Sequence, residues 1–187
     1  MSGTPKPLSG TPKPFTRAAS AAARLRPMLA ADLAAVLDLE HELFPDDAWT
    51  PEMFEEEMSQ PLDSRLYLVA SGGDVSSNEN EGSALAGYAG MMFVPGAAGK
   101  DGGTADVLTI AVSRASWGNG IGSALLGALI DEARRRQCTA VFLEVRKDNP
   151  RARGLYLRRG FAEIGVRRGY YQPAGVDAIV MRKDLRA

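Results

Sequence analysis

Cysteine and histidine are almost absent from this 187-residue chain, which has one of each, Cys138 and His41. A lone thiol permits no internal disulfide and suits a reducing, cytoplasmic setting, where an inert buried residue is the expected role. No zinc-type cluster can be assembled from one His and one Cys, so no metal is expected. His41 falls in a helical pattern and is expected to be structural or solvated rather than catalytic. Apolar runs of membrane-spanning length are missing as well, and no membrane partner is expected. Residues 1–23 lack any Asp or Glu and any periodic apolar face, and they carry Ser-Gly-Thr-Pro-Lys-Pro twice. That composition reads as a disordered tail without the continuous apolar core of a secretory signal. Residues 24–187 remain as one domain, long enough for a sizeable core.

Lys and Arg are missing from residues 32–58, which hold ten acids, whereas residues 134–168 hold eleven bases and three acids. Two solvated faces account for such runs in the ordinary way. They also suit a division of labour, a basic half meeting a polyphosphate and an acidic half meeting a cationic amine or basic peptide. No nucleic-acid recognition motif accompanies the bases, so DNA is not an expected partner.

What is present is a stretch around which the chain is organised, from Val107 to Leu126. Val107, Leu108, Thr109, Ile110, Ala111 and Val112 read as a buried strand. Ile121, Ala124, Leu125, Leu129, Ile130 and Ala133 keep helical spacing. Between them lie Gly118, Asn119, Gly120, Ile121, Gly122 and Ser123. A strand feeding a glycine-rich turn that opens a helix points backbone N–H groups at an anion, and the helix dipole adds to the attraction. The turn is not a nucleotide P-loop, since Ser123 and Ala124 stand where Lys and Ser/Thr would be required. A dinucleotide fingerprint fails on register. A tight strand–helix turn without ligand remains open on these residues alone.

Periodicity and punctuation place the other elements. The body begins near Leu25, and helical spacing runs from Ala31 to a stop at Pro45. Thr50-Pro51 reads as a cap and first-turn proline opening a helix through Met58, and Asn149-Pro150 opens another that ends at Gly160. Strands are expected at Arg65–Ala70, Ala84–Val94, Ala105–Val112, Ala140–Arg146, Phe161–Tyr171 and Val176–Asp184, with polar or Gly-rich loops over 71–82 and 95–104. The third helix covers 120–137. This order predicts an α/β or α+β domain with one mixed sheet and helices covering its faces.

Glu144 interrupts the apolar strand Val141–Val145, sharing a face with Phe142 and Arg146. A carboxylate there needs a partner or solvent. An ion pair with Arg146 or with a neighbouring strand is the ordinary explanation, and a proton-handling site is the other. Asn149 then caps the next helix, and Tyr156 lies about two turns further along it.

Together these residues carry a resemblance. The loop resembles that of the GNAT N-acetyltransferases, whose pattern is Gln or Arg, two residues, Gly, one residue, then Gly or Ala; Gly120-Ile121-Gly122 fits, and Trp117 replaces the Gln or Arg. Leu143-Glu144-Val145-Arg146, Asn149, and Leu155-Tyr156 with Gly160-Phe161 are similar to the bacterial ribosomal-protein-alanine N-acetyltransferases within that family. So are Leu43-Phe44-Pro45 with Trp49, Arg167 to Tyr171, Asp177-Ala178 and Met181. The resemblance spans about residues 24–185. It implies the GNAT fold with a mostly antiparallel central sheet, acetyl-CoA as co-substrate, Glu144 as general base and Tyr156 as general acid. Backbone groups of Ile110, Ala111 and Val112, the loop from Gly118 to Ser123, Asn149 and Tyr156 would contact the coenzyme. Trp49, Tyr170 and Tyr171 would line a peptide groove. The implied partner is the N-terminal segment of a protein, small-subunit ribosomal protein eighteen by preference, with the enzyme a monomer or weak dimer in the cytoplasm. Acetylation of lysine side chains or small amines, and a non-catalytic coenzyme-binding module, are the alternatives.

Overall fold

A threonine or asparagine followed by proline starts both short helices where the sequence predicts. In the computed structural model, which describes residues 23–45, 48–61, 63–72, 85–96 and 102–185, Thr50 Oγ1 accepts the Met53 N–H at 3.3 Å. Asn149 Oδ1 accepts that of Ala152 at 3.0 Å. Each side chain satisfies one of the orphan donors of a helix start, and proline in the first turn has no N–H to leave unpaired.

The chain runs β1 (Ala23–Pro27), a 3-10 turn (Ala30–Asp32), α1 (Leu33–Leu43), α2 (Pro51–Ser59), β2 (Arg65–Gly72), β3 (Leu85–Val94) and β4 (Thr104–Val112). It continues with a 3-10 turn (Arg114–Ser116), α3 (Ile121–Arg135), β5 (Ala140–Arg146), α4 (Pro150–Arg158), β6 (Ala162–Tyr171) and β7 (Val176–Asp184). This is the expected order with small shifts. The entry to α1 tightens into a 3-10 turn because Asp32 accepts the Leu29 N–H and a two-pronged Arg26 guanidinium. β2 extends through Ser71 and Gly72, two residues into the expected loop. β1 opens at Ala23, the last residue of the expected tail; residues 1–22 lie outside the described residues.

Seven strands form one sheet in the order β1-β2-β3-β4-β5-β7-β6. Every neighbouring pair is antiparallel except β4 and β5. A mixed, mostly antiparallel sheet flanked by four helices is therefore the fold, of α/β class. Strand alternation sends side chains to two cores. On one face Leu125, Leu126 and Leu129 of α3 pack against Leu68, Met91, Val107 and Leu143. On the other, Val36 and Leu39 of α1 and Phe54 of α2 pack against Tyr67, Val69, Tyr88 and Ala111. Among the described residues no helix is long and apolar enough to cross a membrane, and no cluster of potential metal ligands occurs.

Two buried carboxylates lock the helices to the sheet. Glu40 accepts the Tyr88 hydroxyl and the Trp49 backbone N–H. That ties α1, the connection to α2 and the sheet centre through one side chain. Glu132 on α3 accepts hydrogen bonds from Arg135 and Arg136. Burial acts to raise its carboxyl, but those two guanidinium groups outweigh it and hold the group below the ordinary range. Arg136 continues onto the Phe93 ring at 3.9 Å. Cys138, just beyond α3, is buried, and burial pushes its thiol up.

Phe54 is fully buried and packs edge-on against Tyr67 and Tyr88 and tilted against Trp49. Phe54→Ala should leave a cavity among three aromatic neighbours and lower unfolding free energy by about 3–5 kcal/mol. A urea titration followed by circular dichroism measures it, and a loss under 1 kcal/mol would show that α2 contributes little to the second core.

Candidate functional site

β4 and β5 pair from Thr104–Ala140 to Val107–Leu143 and no further, although β4 continues to Val112 and β5 to Arg146. Opposite β3 the register also shifts: Gly90 faces Thr109 and Met91 faces Val107, so Leu108 is an extra residue in β4. Such a bulge sharpens strand twist, and here it falls where the parallel partner is lost. Beyond it, Ile110, Ala111 and Val112 stay paired to β3 while their β5-facing edge has no strand partner among the described residues.

The glycine turn lies directly after this strand end. Gly118 and Gly120 have φ of 86° and 79°, the left-handed region. A Cβ built on either meets nothing within 4 Å, so the backbone faces open space. Gly120 occupies the N-cap of α3 without a side-chain cap, which leaves the N–H groups of Ile121, Gly122 and Ser123 without intrahelical partners. Open backbone, unpaired donors and a 15-residue helix behind them suit a pyrophosphate. The Ser123 hydroxyl accepts from Arg159 of the α4 terminus at 2.5 and 2.8 Å, and its carbonyl accepts at 2.5 Å. Arg159 therefore joins the ends of α3 and α4, a contact the local sequence pattern does not announce. Trp117 is 42% exposed. Its indole N–H donates to the Val112 carbonyl at 2.8 Å.

β5 presents Phe142, Glu144 and Arg146 on its half-buried face, alternating with buried Val141, Leu143 and Val145. Glu144 Oε1 accepts Arg167 Nη1 at 2.9 Å, across β7 from β6. Arg146 instead pairs with Asp148. The ion pair thus reaches past the neighbouring strand β7 to β6, and it brings the aromatic pair with it. Arg167 lies 4.3 Å over Tyr170, and Arg146 lies 5.3 Å over Tyr171. The two tyrosine rings stand 5.2 Å apart and nearly perpendicular. Tyr156 of α4 is buried edge-on against Phe161 at 5.9 Å. Burial pushes its phenol up, and nearby Tyr171 adds to the effect. Contacts so run from Glu144 of β5 through Arg167 to Tyr170 and Tyr171 of β6, with Tyr156 of α4 beside Tyr171. Asn149 is the cap of α4, as described. Trp49 is built into the second core against Phe54, 5.1 Å between ring centroids.

Residues 33–161 match the model of the Acetyltransferase (GNAT) family. The N-alpha-acetyltransferase RimI of Mycobacterium tuberculosis is 38% identical over 159 residues, covering 82% of this chain and 87% of that protein. The crystal structure of the ribosomal-protein-S18-alanine N-acetyltransferase from Escherichia coli superposes with a TM-score of 0.70 at 27% identity, covering 88% of this chain and 95% of that one. Arabidopsis thaliana NAA60 in complex with acetyl-CoA superposes with a TM-score of 0.76 at 19% identity, covering 88% and 99%, a likeness of fold.

Asp106 is a further carboxylate at the strand parting, opposite Phe142 in the parallel register. Burial, then the neighbouring Glu144 charge, raises its carboxyl above the ordinary range. A carboxyl raised on folding favours the folded state only while protonated, and its ionisation destabilises the fold as pH rises through that raised value. Asp106→Asn should therefore be more stable than wild type at neutral pH, the gain vanishing on acidification below the carboxylate range. Melting temperatures of both proteins from pH 3.5 to 7.5 measure this, and a pH-independent difference would contradict it.

Proposed function

The chain belongs to the acetyltransferase (GNAT) family and is an acetyl-CoA-dependent N-acetyltransferase; from that premise we propose that its acceptor is a protein N-terminal α-amine, the N-terminal alanine of ribosomal protein bS18 foremost. The single observation that carries the reading is the chain of contacts from Glu144 through Arg167 to Tyr170 and Tyr171, with Tyr156 beside Tyr171. The similarity to proteins named for α-amine and S18-alanine acetylation supports it.

Acetyl-CoA supplies an acetyl thioester, which an unprotonated amine can attack. A peptide α-amine has a pKa of about 8 and arrives mostly protonated at neutral pH. Glu144 is the general base in this reading. Its Oε1 is engaged by Arg167, and Oε2 is left to take the amine proton directly or through a water. As the nitrogen–carbon bond forms, negative charge grows on the carbonyl oxygen, and β4 backbone N–H groups around Ile110–Val112 are the donors for it. The carbon–sulfur bond then breaks, the departing thiolate takes a proton from Tyr156, and the proton the nitrogen sheds on becoming an amide returns through water to the phenolate. Burial keeps that phenol protonated across the physiological range, as a general acid requires. Tyr170 and Tyr171, beside Arg167 and Arg146, form the wall against which the peptide N-terminus lies. Asn149 orders the start of α4, and Trp49 stiffens the α1–α2 connection.

Glu144→Gln should slow acetylation of an alanine-starting peptide about 10²–10⁴-fold at neutral pH, because the amide cannot accept a proton. Raising the pH past about 8 should recover part of the rate, since more amine arrives deprotonated. Initial rates against pH for both proteins, with that peptide and an N-terminally blocked lysine peptide, decide the matter. An undiminished Glu144→Gln rate would remove the base, and preference for the blocked lysine peptide would move the acceptor to a side chain.

A further inference from the structure

The turn that faces the coenzyme carries tryptophan where its family's pattern has Gln or Arg, and the structure shows what that indole does. Its N–H is spent on the Val112 carbonyl, which fixes the ring at the end of β4. Two guanidinium groups approach the fixed ring, Arg151 of α4 at 4.0 Å and Arg114 of the preceding turn at 5.4 Å. They differ in charge state of their surroundings. Arg114 is paired to Glu42 at 3.5 Å. Arg151, exposed in the first turn of α4, has no carboxylate partner among the described residues, unlike Arg146, Arg153, Arg167 and Arg182 around it. An arginine near a helix N-terminus opposes the local dipole, and this one stacks on the ring that immediately precedes open Gly118. A flat aromatic platform holds such a group and leaves its outward N–H donors for an anion.

We propose that Arg151, stacked on Trp117, supplies from α4 the cation that the glycine turn lacks, and that it binds the pyrophosphate of the coenzyme. Trp117 is the positioning residue and Arg151 the binding residue. The inference rests on the reading of the glycine turn as the coenzyme cradle. It makes the loop a two-piece anion site: backbone donors from α3, a side-chain cation from α4. Arg159, which joins Ser123 to α4, keeps the two pieces in register.

The test is calorimetric titration of coenzyme A into the full chain and its variants. Arg151→Ala should weaken binding about tenfold, the scale of one charge-assisted contact, and Trp117→Leu should do nearly the same by releasing the guanidinium. Trp117→Arg restores a cation on the turn, so adding Arg151→Ala in that background should change affinity less than twofold. Equal losses in both backgrounds would show that Trp117 does not govern Arg151, and would overturn the proposal. The Arg151→Ala loss should persist with 3′-dephospho-coenzyme A; a loss confined to the phosphorylated form would place Arg151 on the ribose phosphate and reject the pyrophosphate assignment. Gly120→Val separates this inference from its premise. Left-handed φ costs a side chain about 1–2 kcal/mol, which a folded domain withstands, and the added atoms fill the open face. Weak binding by Gly120→Val with unchanged binding by Arg151→Ala would reject Arg151 alone. Unchanged binding by a folded Gly120→Val would reject the cradle itself.

Discussion

The early end of the β4–β5 ladder is the constraint on which the molecule turns. A parallel pair that parts in mid-sheet leaves backbone donors and acceptors unclaimed, at a cost of about 1–3 kcal/mol for each one buried unsatisfied. The opening is tolerated because it sits at the carboxyl ends of both strands, where ligands bind in parallel α/β sheets. α3 follows β4 and α4 follows β5, so two helix N-termini are delivered to the same end of the sheet. Their dipoles add positive potential just where the backbone lacks partners. The bulge at Leu108 and the left-handed Gly118 and Gly120 are the local distortions this arrangement demands.

Charge along the chain takes on a different meaning once the partners are known. Much of the basic segment is consumed internally, by Asp131, Glu132, Glu144, Asp148, Glu163 and Asp177. Apart from the pairs of buried Glu132, these contribute little stability individually, yet together they leave few cations to face a ligand and so raise the weight of those that do. The acidic segment is likewise partly occupied: Glu40 holds the Trp49 backbone, Glu57 pairs with Arg65, and Glu42 pairs with Arg114.

Local signals were legible in the sequence, and pairings between distant segments were not. Thr50-Pro51 and Asn149-Pro150 cap helices because a cap depends on four consecutive residues. The strand, glycine turn and helix of residues 107–126 were readable for the same reason. The insertion of β7 between β5 and β6 depends on segments about 40 residues apart, and it alone sets Arg167 against Glu144. Asp106 beside Glu144, Arg159 on Ser123 and Arg151 on Trp117 are similarly products of the sheet order. Trp49 shows the converse: its place in the motif was plain, while its packing on Phe54 follows from how α2 meets the sheet.

Cys138 bears on chemical selectivity. An enzyme that handles an activated thioester is exposed to a side reaction in which any available thiolate accepts the acyl group or forms a mixed disulfide with the released coenzyme. Both reactions require the deprotonated sulfur and access to it. The chain has one thiol. It is buried just beyond the end of α3, and burial pushes its thiol up, away from the thiolate. The one thiol in the sequence is thereby disfavoured as a competitor of the amine for the acyl group.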